Sequence, residues 1–366
     1  MWPTTALTDL LGIVHPIIQA PMAGSATPEL AAAVSGAGGL GSLGLGTGAP
    51  DDIRRACADL RARGAGRFNL NFFVMPALPP QAPAARDRMR ALLAGFHAQA
   101  GLGPVPDPPP APPPHGFAPD LVAALEETRP PVVSFHFGLP DGPALARIRA
   151  AGCLILCSAT TVAEARALEA AGVDAIIAQG WEAGGHRGAH WPNGPGDGVG
   201  TMALVPQVVD AVRVPVIAAG GIGDGRGIAA GFALGAAGVQ MGTAFLSSPE
   251  AGTDPARRAL LARATDTDTM MTDAFSGRSA RALRSAYAEA MADLAGRLAP
   301  YPEMYDFSGP LEAACLGQDR AFASFHLYGQ AAALNRAFPA GALVELLVRD
   351  ALGRMPRTSG APGAGF

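Results

Sequence analysis

The segment QGWEAGGHRG, residues 179–188, places a polar amide, two consecutive glycines and a His-Arg pair directly after the apolar run VDAIIA. Paired glycines let a backbone pass close to a ligand with no Cβ in the way. The His that follows then points at the space above that ligand. An imidazole suits proton transfer or anion stabilisation near neutral pH, so His186 is the candidate catalytic residue. Its neighbours Glu182 and Arg187 are read as partners in loop salt bridges. A second histidine, His136, stands late in the run VVSFHFG. His15, His97, His115, His190 and His326 are read as structural or surface residues.

Two further stretches suggest phosphate binding. AAGGIGDGRG (218–227) carries Gly220, Gly221 and Gly223, with a helix expected to open near Asp224 or Gly225. QMGTAF follows at 240–245, and Gln240, Met241, Gly242 and Thr243 offer a second set of donors. Gly-rich loops with free N–H groups at a helix start form an anion cradle. The amides Gln19, Asn71 and Gln179 suit the edge of a flat heterocycle such as a flavin's pyrimidine ring, and Pro21 and Met22 could lie against the ring. Gly39, Gly41 and Gly44 also fit GxGxxG, but they lie within a strand-like run and not in a turn opening a helix, so they are read as close strand packing.

Several chemistries are excluded. All 27 basic side chains are arginine, and without a lysine amine there is no Schiff base, no pyridoxal phosphate anchor and no P-loop. HExxH and GxSxG are absent, and no metal site is visible. A net charge of −4 provides no basic field for nucleic acid. Cys57, Cys153, Cys157 and Cys315 are sparse in a long chain, which points to a reducing compartment. No signal peptide is recognised and no apolar run of about 18 residues occurs. A cytoplasmic protein with no membrane span is expected.

Those residues must be held by a scaffold, and the scaffold is legible. Eight β-rich runs recur: 16–21, 39–44, 68–74, 132–138, 154–160, 175–180, 214–221 and 238–245. Helical patterns lie between them, several ending in Ala-Gly before the next run. Eight βα units in about 245 residues match a closed (β/α)8 TIM barrel, whose functional groups gather at the carboxyl ends of the strands. The division expected is a barrel over 1–249, a small helical lid domain over 250–322, and closing helices with a disordered tail over 323–366. Residues 75–130 form an excursion, read as a spacer or surface loop because GPVPDPPPAPPPHG must be extended. DPARRALLARA and SARALRSAYAEAMADLAGRL, within 250–322, are read as helices.

PIIQAPMAG, AGVDAIIAQGWEAGGHRG and VPVIAAGGIGDGRGIAAGFALGAAGVQMGTAFL resemble the nitronate monooxygenase family, formerly called 2-nitropropane dioxygenases. The resemblance is strong over 16–46 and 130–248. It implies a TIM barrel with a small second domain, non-covalent FMN, and oxidation of alkyl nitronates such as propionate 3-nitronate by O2 to a carbonyl product and nitrite. It assigns catalysis to His186 and a place in the substrate pocket to His136, Tyr301 and Tyr305. It assigns FMN contacts to Ala20, Pro21, Met22, Asn71, Gln179, Gly184, Gly221, Gln240, Met241, Gly242 and Thr243, to which the glycine pairs themselves add Gly185 and Gly220 as expected cofactor contacts. The lid motif of the well-described bacterial branch is similar to YPxxYDxxK. Here Tyr301, Tyr305 and Asp306 are present, but Gly309 stands at the Lys position and the Pro-rich stretch offers no Tyr. The alternative on the same scaffold is an NAD(P)H:quinone reductase or an enoyl reductase.

Overall fold

A computed structural model describes residues 1–75, 83–107, 116–190, 198–295, 297–315 and 322–355. Most of the polyproline run and the tail expected to be disordered lie outside the described residues. In chain order the elements are α1 (Ala6–Leu11), β1 (Ile17–Gln19), α2 (Pro28–Gly36), β2 (Gly41–Gly46), α3 (Pro50–Ala62), β3 (Phe68–Phe73), α4 (Pro83–Gln99), α5 (Pro119–Thr128), β4 (Val132–His136), α6 (Gly142–Ala150), β5 (Leu154–Ala159), α7 (Val162–Ala170), β6 (Ala175–Gln179) and β7 (Gly185–His186). Then come α8 (Thr201–Ala211), β8 (Val216–Ala219), α9 (Gly225–Ala233), β9 (Gly238–Met241), α10 (Pro255–Ala262), β10 (Thr269–Thr272), β11 (Ala280–Leu283), α11 (Ala286–Ala290), α12 (Met304–Cys315) and α13 (Ala340–Leu352).

Eight parallel strands run in the order β1-β9-β8-β6-β5-β4-β3-β2. A bridge between Ile18 and Leu40 joins the two ends, with the Leu40 N–H donating to Ile17 O at 3.0 Å and the Gln19 N–H to Leu40 O at 2.9 Å. The sheet is thus a (β/α)8 barrel, with all eight strands where the apolar runs predict them. The pleat sorts the side chains. On β4 and β5, Val133, Phe135, Ile155 and Cys157 face the helices, while Val132 and Leu156 face inward among Ile18, Leu40, Ile177 and Ile217. Leu7 and Leu11 of α1 close this lower, apolar layer. One pleat higher the interior turns polar. Asn69 Nδ2 donates to Ser42 Oγ at 3.2 Å and to Ser134 Oγ at 2.9 Å, and Asn71 Nδ2 donates to Ser134 Oγ at 2.9 Å. The barrel is therefore sealed with hydrocarbon at the amino ends and carries hydrogen-bonding groups toward the carboxyl ends.

Gln19 belongs to this scaffold and not to a ligand site. Its Oε1 accepts from the Ser42 N–H at 2.9 Å, which ties β1 to β2. It was expected beside Asn71 and Gln179, but a three-residue strand at the closure seam needs its side chain for pairing.

Two expectations are corrected. The excursion after β3 is not simply a spacer: α4 is a 17-residue helix whose Met89 and Leu93, at i,i+4 spacing, enter a second hydrophobic cluster with Phe275, Tyr287, Met304, Phe307 and Leu311. Flanking prolines masked that stripe. Residues 280–283, expected as helix, are a strand. β10, β11 and β7 form a three-stranded antiparallel sheet, and pairing with the loop after β6 overrides the local helical pattern. Ser285 then caps the short α11. Among the described residues no helix is long and apolar enough to cross a membrane.

Gly41 tests the closeness of α2 to β2. A Cβ there would lie 1.9 Å from the Ala31 carbonyl oxygen, and backbone on both sides leaves no flexible atom to yield. Gly41→Ala is expected to cost on the order of 3 kcal/mol, read as a lowered midpoint in urea unfolding.

Candidate active site

The loop after β6 is held by side chains from two strands. Gln179 Nε2 donates to the His186 carbonyl at 3.0 Å, and its Oε1 accepts from the Gly188 N–H at 2.7 Å. His136 Nε2 meets the same His186 carbonyl at 3.1 Å, and its Nδ1 meets Ser158 Oγ at 2.9 Å. A carbonyl only accepts, so His136 carries its proton on Nε2 and the Ser158 hydroxyl donates to Nδ1. Burial pushes the His136 pKa down to about 4, partly opposed by the bond to the His186 carbonyl. His136 is a neutral ring with both nitrogens engaged. It lines the cavity, but its work is to position the loop.

The glycines of this loop are steric requirements. At Gly184 a Cβ would lie 2.5 Å from the Gly329 nitrogen, and at Gly188 one would lie 2.6 Å from the His136 ring. Gly185 has φ +83°, where side chains are disfavoured. The neighbouring charges do not form the expected loop salt bridges. Glu182 accepts from the Thr201 N–H and hydroxyl at the start of α8. Arg187 is buried and donates to the Gln179 carbonyl at 2.6 Å. Backbone groups and a hydroxyl met these charges first.

His186 itself is held from the cap. Ala280 of β11 pairs with it, and its Nε2 lies 2.9 Å from Ser276 Oγ. Ser276 donates its proton to the Arg278 carbonyl at 3.1 Å, so it receives Nε2–H. That leaves Nδ1 without a partner among the described residues, on a side chain that lines the cavity. Around the imidazole stand Phe73 at 6.1 Å, Phe137 at 5.9 Å, Tyr301 at 5.6 Å and Phe325 at 5.9 Å between centroids, all edge-to-face. Burial in this cage pushes the His186 pKa down to about 3, with His136 and Arg278 adding to the fall. Phe137 has φ +74°, a left-handed conformation that costs a phenylalanine about 1–3 kcal/mol. It is retained beside the histidine by packing on Phe73, at 4.7 Å, and on the Arg278 guanidinium.

The cavity at the carboxyl ends of the strands has a volume of about 430 Å³, within the usual range for small-molecule sites. All thirteen residues expected to contact a cofactor line it, from Ala20, Pro21 and Met22 through Asn71, Gln179, Gly184 and Gly185 to Gly220, Gly221 and Gln240–Thr243. His136, His186 and Tyr305 line it as well. Tyr301 does not, and stands against His186 as part of its cage. Gly220 and Gly221 have φ +107° and +71°, α9 opens at Gly225, and Asp224 caps it through the Arg226 N–H at 2.9 Å. A Cβ at Gly309, where the family pattern has lysine, would touch nothing within 4 Å.

Other wall residues were not singled out from the sequence. They include Phe73, Ser158, Arg257, Glu312 and Phe325, with His326, which is buried on the wall and not at the surface. Ser158 was accessible by pleat counting from Cys157. Ser276 and Arg278 had only the turn glycine of FSGRSAR as a signal.

Burial gives these imidazoles a stability consequence. His136, His186 and His326 are held at about 4, 3 and 4, below the ordinary value of 6.5. The unfolded chain takes up their protons first, so stability present above pH 6.5 is lost as pH falls toward those lower values. Each imidazole contributes at most about 1.4 kcal/mol per pH unit. Urea unfolding from about pH 7 to about pH 5 should show a steady fall in free energy, and His136→Gln should flatten the slope.

The sequence model of the nitronate monooxygenase family matches residues 4–350. A nitronate monooxygenase of Paraburkholderia phytofirmans is 45% identical over 357 residues, covering 94% of each chain. One of Pseudomonas aeruginosa is 41% identical over 361 residues, covering 96% of this chain and 100% of that one. Among solved structures, the nitroalkane oxidase of Streptomyces ansochromogenes superposes with a TM-score of 0.86 at 41% identity, covering 95% of this chain and 98% of that one. FabK of Thermotoga maritima gives 0.71 at 32% identity, covering 95% and 96%. Matched along nearly its whole length, the chain is an oxidoreductase that belongs to the nitronate monooxygenase family.

Proposed function

We propose that the protein is an FMN-dependent enzyme that oxidises alkyl nitronates with O2 to a carbonyl compound and nitrite. The observation that carries this reading is one cavity with a glycine cradle at one end and the unpartnered Nδ1 of a buried histidine at the other. The residues fit the cofactor. Gly220 and Gly221, with Gln240–Thr243, suit a phosphate tail ahead of α9. Asn71 commits its Nδ2 to Ser134 and keeps Oδ1 for a ring edge, as Gln179 keeps one N–H and one lone pair. Gln240 Oε1 is buried without a partner, and a hydrogen-bonding ligand would satisfy it. Bound FMN would supply a sink for the substrate's electrons and a route from there to O2.

His186 explains the preference for a nitronate. A nitroalkane C–H is a far weaker acid than an imidazolium held at about 3, so this imidazole is a poor base for carbon. The substrate arrives already ionised. When Ser276 turns its hydroxyl onto Nε2, the ring can carry its proton on Nδ1 and donate a hydrogen bond from it to a nitronate oxygen. His136 and Gln179 keep the loop in place, and four aromatic rings pack around the histidine.

The protein is expected to purify yellow and to consume O2 with propionate 3-nitronate. No uptake by yellow holoprotein overturns the reading. Flavin bleaching by NADH under anaerobic conditions would favour the reductase alternative. His186→Asn should keep the flavin and lower kcat by about 10²–10⁴-fold.

A further inference from the structure

Arg278 lies on the turn between β10 and β11, two residues beyond the serine that holds His186. It is 5% exposed. Its guanidinium carbon is 3.8 Å from the centroid of the Phe137 ring, and it donates one hydrogen bond to the Ala189 carbonyl. Among the described residues no carboxylate forms an ion pair with it, and the groups that favour its charge, Tyr301 and Glu164, act only at range. The same phenyl ring meets the His186 imidazole at 5.9 Å between centroids and 90°. A desolvated cation with no ion-pair partner among the described residues thus stands against a ring that packs on the residue facing the reacting end of the cavity.

We propose that Arg278 is a specificity-setting positioning residue: from its seat on the Phe137 ring it holds a positive potential over the His186 end of the cavity, which selects the anionic nitronate over its neutral nitroalkane parent. The inference rests on the nitronate reading given above. Phe137 lies 3.8 Å from the guanidinium and 5.9 Å from the imidazole, so the two are within roughly 10 Å of each other. At that separation, with an effective dielectric of about 20, a unit charge changes the affinity for a monoanion by about tenfold. Burial keeps salt from screening it.

Arg278 is not among the residues that line the cavity, so it acts on substrate or product through its potential and not by pairing with them, and the potential attracts an anion without trapping nitrite. The same charge opposes an imidazolium at His186, which disfavours any route that begins with proton abstraction from a neutral nitroalkane. The titratable and charged groups around His186 are His136 at the end of β4, Tyr301 and Tyr305 near the start of α12, and Arg278 of the β10–β11 turn. His136 is neutral, and burial pushes both tyrosines up, Tyr301 to about 12. Among the described residues that act on His186, only Arg278 contributes a full charge.

The test compares Arg278→Met, which removes the charge, with Arg278→Lys, which keeps it. Three quantities are read on the holoprotein: kcat/KM for a nitronate and for its parent nitroalkane, the pH profile with the nitronate, and nitrite affinity by calorimetry, which needs no turnover. In Arg278→Met the nitronate-over-nitroalkane ratio should fall about tenfold, mostly through KM, nitrite should weaken by a similar factor, and the acid limb should move up in pH. Arg278→Lys should stay within about threefold of the parent protein on each measure. A tenfold loss in folded Arg278→Lys overturns the proposal, as does Arg278→Met with an unchanged ratio. If Arg278→Met does not fold, the proposal stands or falls on Arg278→Lys and on a nitronate KM in the parent protein that changes less than about threefold from low to high salt. If no nitronate is oxidised yet nitrite weakens in Arg278→Met alone, the functional reading fails while the electrostatic inference holds. Unchanged nitrite affinity in both variants sinks the inference by itself.

Discussion

The carbonyl oxygen of His186 is the point on which the site depends. It accepts from His136 Nε2 at 3.1 Å and from Gln179 Nε2 at 3.0 Å, so a loop between a strand and a helix is fastened to β4 and β6 at once. Both donors must keep their protons in place. Burial keeps His136 a neutral ring, and the His186 carbonyl, which only accepts, fixes the hydrogen on Nε2 while the Ser158 hydroxyl donates to Nδ1. With the backbone fixed there, the imidazole of His186 is free to face the cavity while still being rigid.

The side chain of that residue answers to another part of the molecule. Ser276 grips its Nε2, Ala280 pairs with its backbone, and Phe325 and Tyr301 pack on its ring. His186 is therefore clamped between a barrel that holds its carbonyl and a cap that holds its imidazole. Neither alone would define the geometry. Low dielectric around the clamp makes each charge there count for more than it would at a surface, and this is why one guanidinium seated on a phenyl ring can set the potential of the reacting end.

The barrel was legible because its two rules are local. Apolar β-rich runs separated by helical patterns need no knowledge of partners, and glycines bunched at the ends of β6, β8 and β9 mark where a backbone must come near a ligand. The lining of the cavity followed from those ends. The cap was less legible. Met89 and Leu93 lie between proline-rich stretches, and Ala280–Leu283 sits in an alanine-arginine segment with helical character. In both cases the deciding contact is with a segment far along the chain. Gln19 shows the same limit within the barrel itself, since a polar residue at a strand end serves equally a ligand or the closure seam.

By itself the amino-acid order determined the eightfold βα alternation, the absence of lysine chemistry, the cradle glycines and the prominence of His186. All of these are properties of short segments or of composition. Only the tertiary structure decided that His136 fastens the loop where His186 faces the cavity, that Tyr301 backs the imidazole where Tyr305 lines the wall, and that Ser276, Phe137 and Arg278 stand around His186. Hydrogen-bond occupancy, burial and the distance of a charge depend on which segments meet, and a chain cannot state that one residue at a time.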